Sequence, residues 1–130
     1  MTKSDHRDYW RNMASRDWET VEVLFNGGRY LHALFFVHLC LEKTLKAFWV
    51  RDNLEDTPPP IHNLIHLYDQ TELDLSTEET DLLQNMNQYN ITGRYQDYKD
   101  KIFERVTQSY AQQKIQNCRA LYHTLLRKLQ

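Results

Sequence analysis

Hydrophobic residues recur at three- and four-residue steps along most of the chain, which is the period of an amphipathic α-helix. Glycine and proline interrupt the pattern at Gly27-Gly28, Pro58-Pro59-Pro60 and Gly93. The apolar steps predict helices over about 5–26, 29–51, a short segment from about 61, a segment from about 77 to 89, and 99 to the end, with loops over 52–60 and 90–98. The pattern therefore indicates an all-α fold, an antiparallel four- to five-helix up-and-down bundle.

Local signals mark several helix ends. Ser4 followed by Asp5 predicts an N-cap and an acidic first turn, and Gly27-Gly28 predicts a C-terminal stop. Ser76 with Glu79 three residues later has the spacing of a capping box. Thr107 is expected to restart the last helix after a kink.

The second helix is apolar over more than half of its circumference, which places it in the middle of the bundle. His38, Glu42 and Lys46 are spaced by four residues and form one polar strip. That strip is either an acid–base set or an ordinary helix with a Glu42–Lys46 ion pair. On the first helix, Asp17 falls on the apolar stripe, which is unusual.

Composition narrows the class of protein. The 130 residues suffice for one domain, residues 1–130, and three glycines with three prolines are too few for a small all-β fold. A net charge of −2 argues against a generic nucleic-acid binder, so no DNA partner is expected. The longest apolar stretch, 30–41, contains two histidines and is too short to span a bilayer. Two cysteines and the lack of a signal segment predict a reduced, cytoplasmic protein.

No metal, cofactor or catalytic residue is predicted. His62 and His66 are four residues apart and would share a helix face, but no third ligand has a matching spacing. Cys40 and Cys118 lie in apolar contexts and are expected to be buried and unreactive. The common phosphate-cradling and nucleophile motifs are absent from the sequence.

Two further sets of residues have more than one interpretation. Arg94 lies in a loop beside Tyr95 and Asp97, where it would either clamp a phosphate and stack a base or pair with Asp97 at the surface. Arg119 and His123 lie one turn apart, as a ribonuclease pair or as part of a solvated face.

Five short motifs, in order along nearly the whole chain, resemble the HEPN domain family. Leu41-Glu42-Lys43-Thr44-Leu45-Lys46-Ala47 matches the family's Glu-Lys-x-Leu-Lys-Ala signature. The other four are Ala14 with Asp17, Gly28-Arg29-Tyr30, Ile61-His62-Asn63-Leu64 with Leu67, and Tyr89-Asn90 with Gly93-Arg94-Tyr95-Gln96-Asp97. Where the family commonly has Gln-Gln, Pro and Ala, this chain has His38-Leu39, Gln96 and Gly93.

The resemblance implies one of two activities. Ribonuclease members carry Arg and His separated by four to six residues, a spacing that no Arg of this chain has. The other branch is a dimeric, nucleotide-associated partner of minimal nucleotidyltransferases. In that branch the residues expected to bind a nucleotide are Lys43, Lys46, His62, Arg94 and Tyr95, supported by Asp17, Glu42 and Asp97. The same positions could instead determine the fold, with Asp17 and Lys46 paired inside the bundle.

The sequence therefore predicts a non-catalytic HEPN-type module. We expect it to form a homodimer and to bind a nucleotide, a nucleotidyltransferase partner, or both, as in a toxin–antitoxin-like pair. The alternatives are a metal-independent ribonuclease, using Arg119 with His123 or His62 with Arg94, and a purely structural interaction module.

Overall fold

The fold is all-α, as the apolar pattern predicts. The computed structural model describes residues 1–90 and 104–130, and no strand occurs in these ranges. The helices are α1 (Lys3–Asn26), α2 (Tyr30–Asp52), α3 (Leu64–Asp69), α4 (Thr77–Met86) and α5 (Gln108–Leu129), with one 3₁₀ turn at Asn87–Tyr89. No helix in the described part of the chain is long and apolar enough to cross a lipid bilayer.

Contacts between helix ends give the direction of each helix. The Lys3 amino group donates to the carbonyl of Val50 at 2.8 Å, so the start of α1 lies beside the end of α2. The guanidinium of Arg51 donates to the Lys128 carbonyl at 2.9 Å, so α2 and α5 end together.

The remaining contacts complete the up-and-down order. Trp18 of α1 stacks on Tyr122 of α5 with ring centroids 5.3 Å apart, and Glu22, one turn further along α1, lies near Arg119, one turn earlier in α5. Helices α1 and α5 are therefore antiparallel. The Tyr89 hydroxyl, just past α4, lies 2.6 Å from the Tyr110 hydroxyl near the start of α5. Helices α1, α2, α4 and α5 therefore alternate in direction.

Helix α2 forms the centre of the bundle, which confirms its predicted position. Its side chains Leu34, Leu41 and Phe48 are completely buried, together with core residues from α1, α3, α4 and α5. Five of its residues with polar side chains or a thiol are also buried, and they are His38, Cys40, Glu42, Thr44 and Lys46. The polar strip predicted on one face of this helix is thus enclosed by the fold.

Most of the predicted helix ends are confirmed. Ser76 and Glu79 form the expected capping box, Thr107 caps α5, and Gly28 adopts a positive φ of 78° after α1. The N-cap of α1 is Thr2 rather than Ser4, because the Thr2 hydroxyl accepts the Asp5 N–H while the Asp5 carboxylate accepts the Thr2 N–H. The predicted loop over 90–98 and the start of the last helix at 99 lie outside the described residues, except for Asn90.

The third helix begins at Leu64, three residues later than the pattern predicts. The side-chain Oδ1 atom of Asn63 accepts the N–H groups of Ile65 and His66, so Asn63 is the N-cap. A second asparagine, Asn87, accepts the Leu64 N–H at 2.8 Å and ties the start of α3 to the end of α4. These bonds fix the backbone immediately after His62.

We expect Asn63→Ala to lower the free energy of unfolding by about 1 kcal/mol, because it removes the acceptor for two N–H groups at the start of α3. Urea unfolding measures this loss. The matched control is Asn12→Ala, on the exposed middle of α1, which should not destabilise because alanine is the better helix former there. Equal effects of the two substitutions would contradict the capping role of Asn63.

Candidate functional site

The motif residues Glu42 and Lys46 of α2 and His62, which precedes α3, form one polar group, which we name the Glu42 cluster. It lies between α2, α1 and the segment that leads into α3. Its members, linked by the ion pairs and contacts described below, are His38, Glu42, Lys46 and His62, while a separate ion pair joins Lys43 to Asp17.

The Glu42 carboxylate lies at the centre and contacts two donors. Its Oε2 atom accepts from the Lys46 amino group at 3.1 Å, and its Oε1 atom lies 3.0 Å from Nδ1 of His62. The side chains of Glu42 and Lys46 are only 6% and 7% exposed. Because an unpaired charge this deep would cost several kcal/mol, each of these two ions depends on the other.

An aromatic ring on α1 completes the surroundings of Lys46. The Lys46 amino group lies 5.3 Å from the centroid of the Trp10 ring, within the range of a cation–π contact. The sequence places Trp10 on the apolar stripe of the first helix, but it gives no register between α1 and α2. The contact could therefore not be predicted before the two helices were packed together.

The second ion pair joins α1 to α2. The Lys43 amino group lies 2.7 Å from Oδ2 of Asp17, and the two side chains are 17% and 11% exposed. The predicted pairing of Asp17 with Lys46 is wrong, because Lys46 is held by Glu42 within its own helix. Both candidate lysines are thus already neutralised by carboxylates of this chain.

His38 is completely buried, one turn before Glu42. Its Nδ1 atom is 3.9 Å from Oε1 of Glu42, and neither ring nitrogen has a hydrogen-bond partner among the described residues. Burial lowers the pKa of His38 to about 4, because the charged ring would lose its hydration; the Glu42 carboxylate opposes this shift only partly. His38 is therefore neutral at pH 7.

His62 is the exposed member of the cluster, with 57% of its side chain accessible. It lies outside α3, so it does not share a helix face with His66 as predicted; His66 is exposed within α3. With Glu42 ionised, Nδ1–H of His62 donates to the carboxylate, and Nε2 is left as the free nitrogen of the ring. His62 is therefore the member of the cluster that a ligand in solution can reach.

The other sequence candidates lie elsewhere. Arg94, Tyr95 and Asp97 lie outside the described residues. Arg119 lies with its guanidinium 5.6 Å from the Trp18 ring and 3.9 Å from the Glu22 carboxylate, while His123 packs against Tyr122. Among the described contacts, no hydrogen bond or ion pair joins either residue to the Glu42 cluster.

The two cysteines are buried, as expected. Burial raises the pKa of Cys118 to about 12 and raises the pKa of Cys40 further, because a thiolate would lose its hydration in the core. Both thiols therefore stay protonated at neutral pH. In the described ranges, no three His, Cys, Asp or Glu side chains are grouped so that they could hold a metal ion.

Burial of neutral His38 predicts an acid-sensitive fold. An unfolded histidine takes up a proton near pH 6.5, whereas folded His38 does so only near its pKa of about 4. The contribution of neutral His38 to the free energy of unfolding is therefore intact above about pH 6.5 and is lost as the pH falls toward 4. Between about pH 7 and pH 5, we expect the free energy of unfolding of the wild type to fall by about 2 kcal/mol more than that of the His38→Leu variant. Urea unfolding at the two pH values measures this difference.

The control for this measurement is His66→Gln, which removes an exposed histidine. This variant should keep the pH dependence of the wild type. The assignment to His38 would be wrong if the His38→Leu variant and the wild type lost equal stability over that pH interval.

Comparison with known proteins places the whole bundle in one family. The family model described as HEPN domain matches residues 8–129, which includes every helix of the bundle except the first turn of α1. Searches of curated proteins and of solved structures returned no match. The matched range covers the Glu42 cluster and the motif residues from which the resemblance was drawn. On this match, the chain belongs to the HEPN domain family.

Proposed function

We propose that this chain is a non-catalytic HEPN module that binds a nucleotide at the surface end of the Glu42 cluster. One observation carries the proposal: His62, an exposed imidazole, is held through Nδ1 by a buried carboxylate at 3.0 Å. A ring fixed in this way presents Nε2 in one direction without further loss of side-chain freedom. A ring nitrogen so placed can hydrogen-bond to a nucleotide.

The candidate residues take different parts in this proposal. His62 contacts the phosphate, together with Arg94, and Tyr95 contacts the base or ribose. Lys46 is a positioning residue, because its amino group is occupied by Glu42 and is almost completely buried. Lys43 is partly exposed and pairs with Asp17, so its part is to hold α1 against α2 beside the site.

The cost of the buried charges supports a functional interpretation over a purely structural one. Buried ion pairs are often replaceable by packed apolar side chains without loss of stability, so a fold needs no Glu42–Lys46 pair in the middle of its central helix. The pair is thus better explained by what it holds, which is His62.

A binding role is also favoured over ribonuclease activity. The nearest match to a catalytic pair, Arg119 with His123, has only three residues between its members, and the Arg119 guanidinium is engaged by Trp18 and Glu22. The buried thiols are protonated and cannot act as nucleophiles. Nothing in the described cluster aligns a general base with a nucleophile.

The proposal extends to the protein's assembly. We infer a homodimer whose second copy, or a nucleotidyltransferase partner, closes the site around His62. This arrangement would resemble a toxin–antitoxin pair, in which the module binds the nucleotide and the partner carries the enzyme activity.

Isothermal titration of the full chain with ATP, GTP and UTP tests nucleotide binding. We expect His62→Gln to weaken the affinity by about tenfold, the effect of losing one charged hydrogen bond. His66→Gln is the matched control, since His66 is an exposed histidine of the same segment that does not contact Glu42. It should change the affinity by less than about twofold.

Two outcomes would contradict this function. One is the absence of heat with all three nucleotides, for the chain alone and after co-expression with a nucleotidyltransferase. The other is cleavage of total RNA by the purified protein that is lost in His62→Gln or His123→Ala, since this would identify a ribonuclease.

A further inference from the structure

Acidic residues are concentrated in the segment that contains α3 and α4, and basic residues are concentrated in α5. Between Asp52 and Gly93 the sequence has nine acidic residues and no lysine or arginine. Helix α5 is the reverse, with four basic residues and no acidic one. The segment that contains α3 and α4 is therefore strongly acidic, although the whole chain has a net charge of only −2.

A groove of about 640 Å³ lies between α4 and α5. Glu78 and Asp81 line it from α4, and Lys114 and Asn117 line it from α5. Leu82 and Leu121 add apolar surface to its lining. The groove follows α4 from Glu78 to Asn85, which is two helical turns or about 10 Å.

The acidic wall of the groove is not neutralised by the described residues. Glu78 and Asp81 form no ion pair within the described ranges. Glu79 also lines the groove, but its carboxylate accepts the Ser76 N–H at 2.9 Å in the capping box. The amino group of Lys114 lies over the Tyr110 ring, 5.5 Å from its centroid.

We propose that the α4–α5 groove binds a basic amphipathic helix of a partner protein. Apolar side chains at helical spacing would contact Leu82 and Leu121, and Lys or Arg side chains beside them would pair with Glu78 and Asp81. The charge of the wall selects a basic partner and repels nucleic acid and acidic peptides. The proposal goes beyond nucleotide binding, since none of the groove residues belongs to the Glu42 cluster.

A synthetic helix of about 14 residues, with leucine on one face and lysine beside it, is the probe. Its affinity for the full chain is measured by fluorescence anisotropy, with a peptide carrying glutamate in place of lysine for comparison. We expect the lysine peptide to bind and the glutamate peptide not to bind. Glu78→Gln with Asp81→Asn should weaken binding by about fivefold, since both substitutions remove charge from exposed positions and keep shape.

The matched control is Glu19→Gln with Glu22→Gln, which removes the same charge from exposed positions of α1. This control should change the affinity by less than about twofold. Ala120→Arg, at an exposed position of α5 within the groove, should abolish binding by filling the groove and adding a positive charge. Circular dichroism of each variant confirms that the fold is retained.

The proposal is overturned if the two charge-removing pairs weaken binding equally, which would indicate attraction to net charge alone. It is also overturned if Ala120→Arg binds the lysine peptide as well as wild type does, or if the two peptides bind equally. His62→Gln should leave peptide binding unchanged, so failure of this proposal and failure of nucleotide binding are measured separately.

Discussion

The buried negative charge of Glu42 is the constraint on which the rest of the site depends. A carboxylate in the middle of the central helix requires a cation at short range, and Lys46 supplies it from one turn along at 3.1 Å. Lys46 in turn lies over Trp10, so the position of α1 is coupled to the same charge. The second carboxylate oxygen holds His62, and thereby the segment before α3. One ion thus connects the central helix to two neighbouring elements.

The same charge explains the contrast between the two histidines near Glu42. His38 lies within 4 Å of the carboxylate, but it is buried so completely that its pKa is lowered to about 4 and it stays neutral. His62 contacts the same oxygen from the solvent side, with 57% of its side chain exposed. Both imidazoles are near the same anion, but only His62 is exposed and can contact a ligand.

Much of the fold could be predicted from the sequence, because it depends on local signals. The apolar period gives the helices, and the capping residues Ser76 and Thr107 and the glycine at Gly28 give their ends. Helix α3 was placed too early, because Asn63 and Asn87 cap it at Leu64 through one local and one distant contact.

Within the site, the participating residues and the ion pair inside α2 were predictable, whereas the contacts between elements were not. The motifs identified Asp17, Glu42, Lys43, Lys46 and His62, and the spacing within α2 predicted the Glu42–Lys46 pair. The pairing of Asp17 with Lys46 was wrong, since the register of α1 against α2 decides whether Lys43 or Lys46 faces Asp17. Periodicity within one helix carries no such register. The complete burial of His38 also depends on packing from several elements. The acidic residues of the segment 52–93 acquire a location only through the groove between α4 and α5.

The central claim is that the Glu42–Lys46 pair exists to hold His62 rather than to stabilise the bundle. Its most direct test is the nucleotide affinity of the double variant Glu42→Leu with Lys46→Met, which removes both buried charges together and leaves no unpaired ion. The account predicts a free energy of unfolding close to that of wild type and a loss of nucleotide affinity equal to that of His62→Gln. A stable double variant that binds nucleotide with wild-type affinity would contradict it.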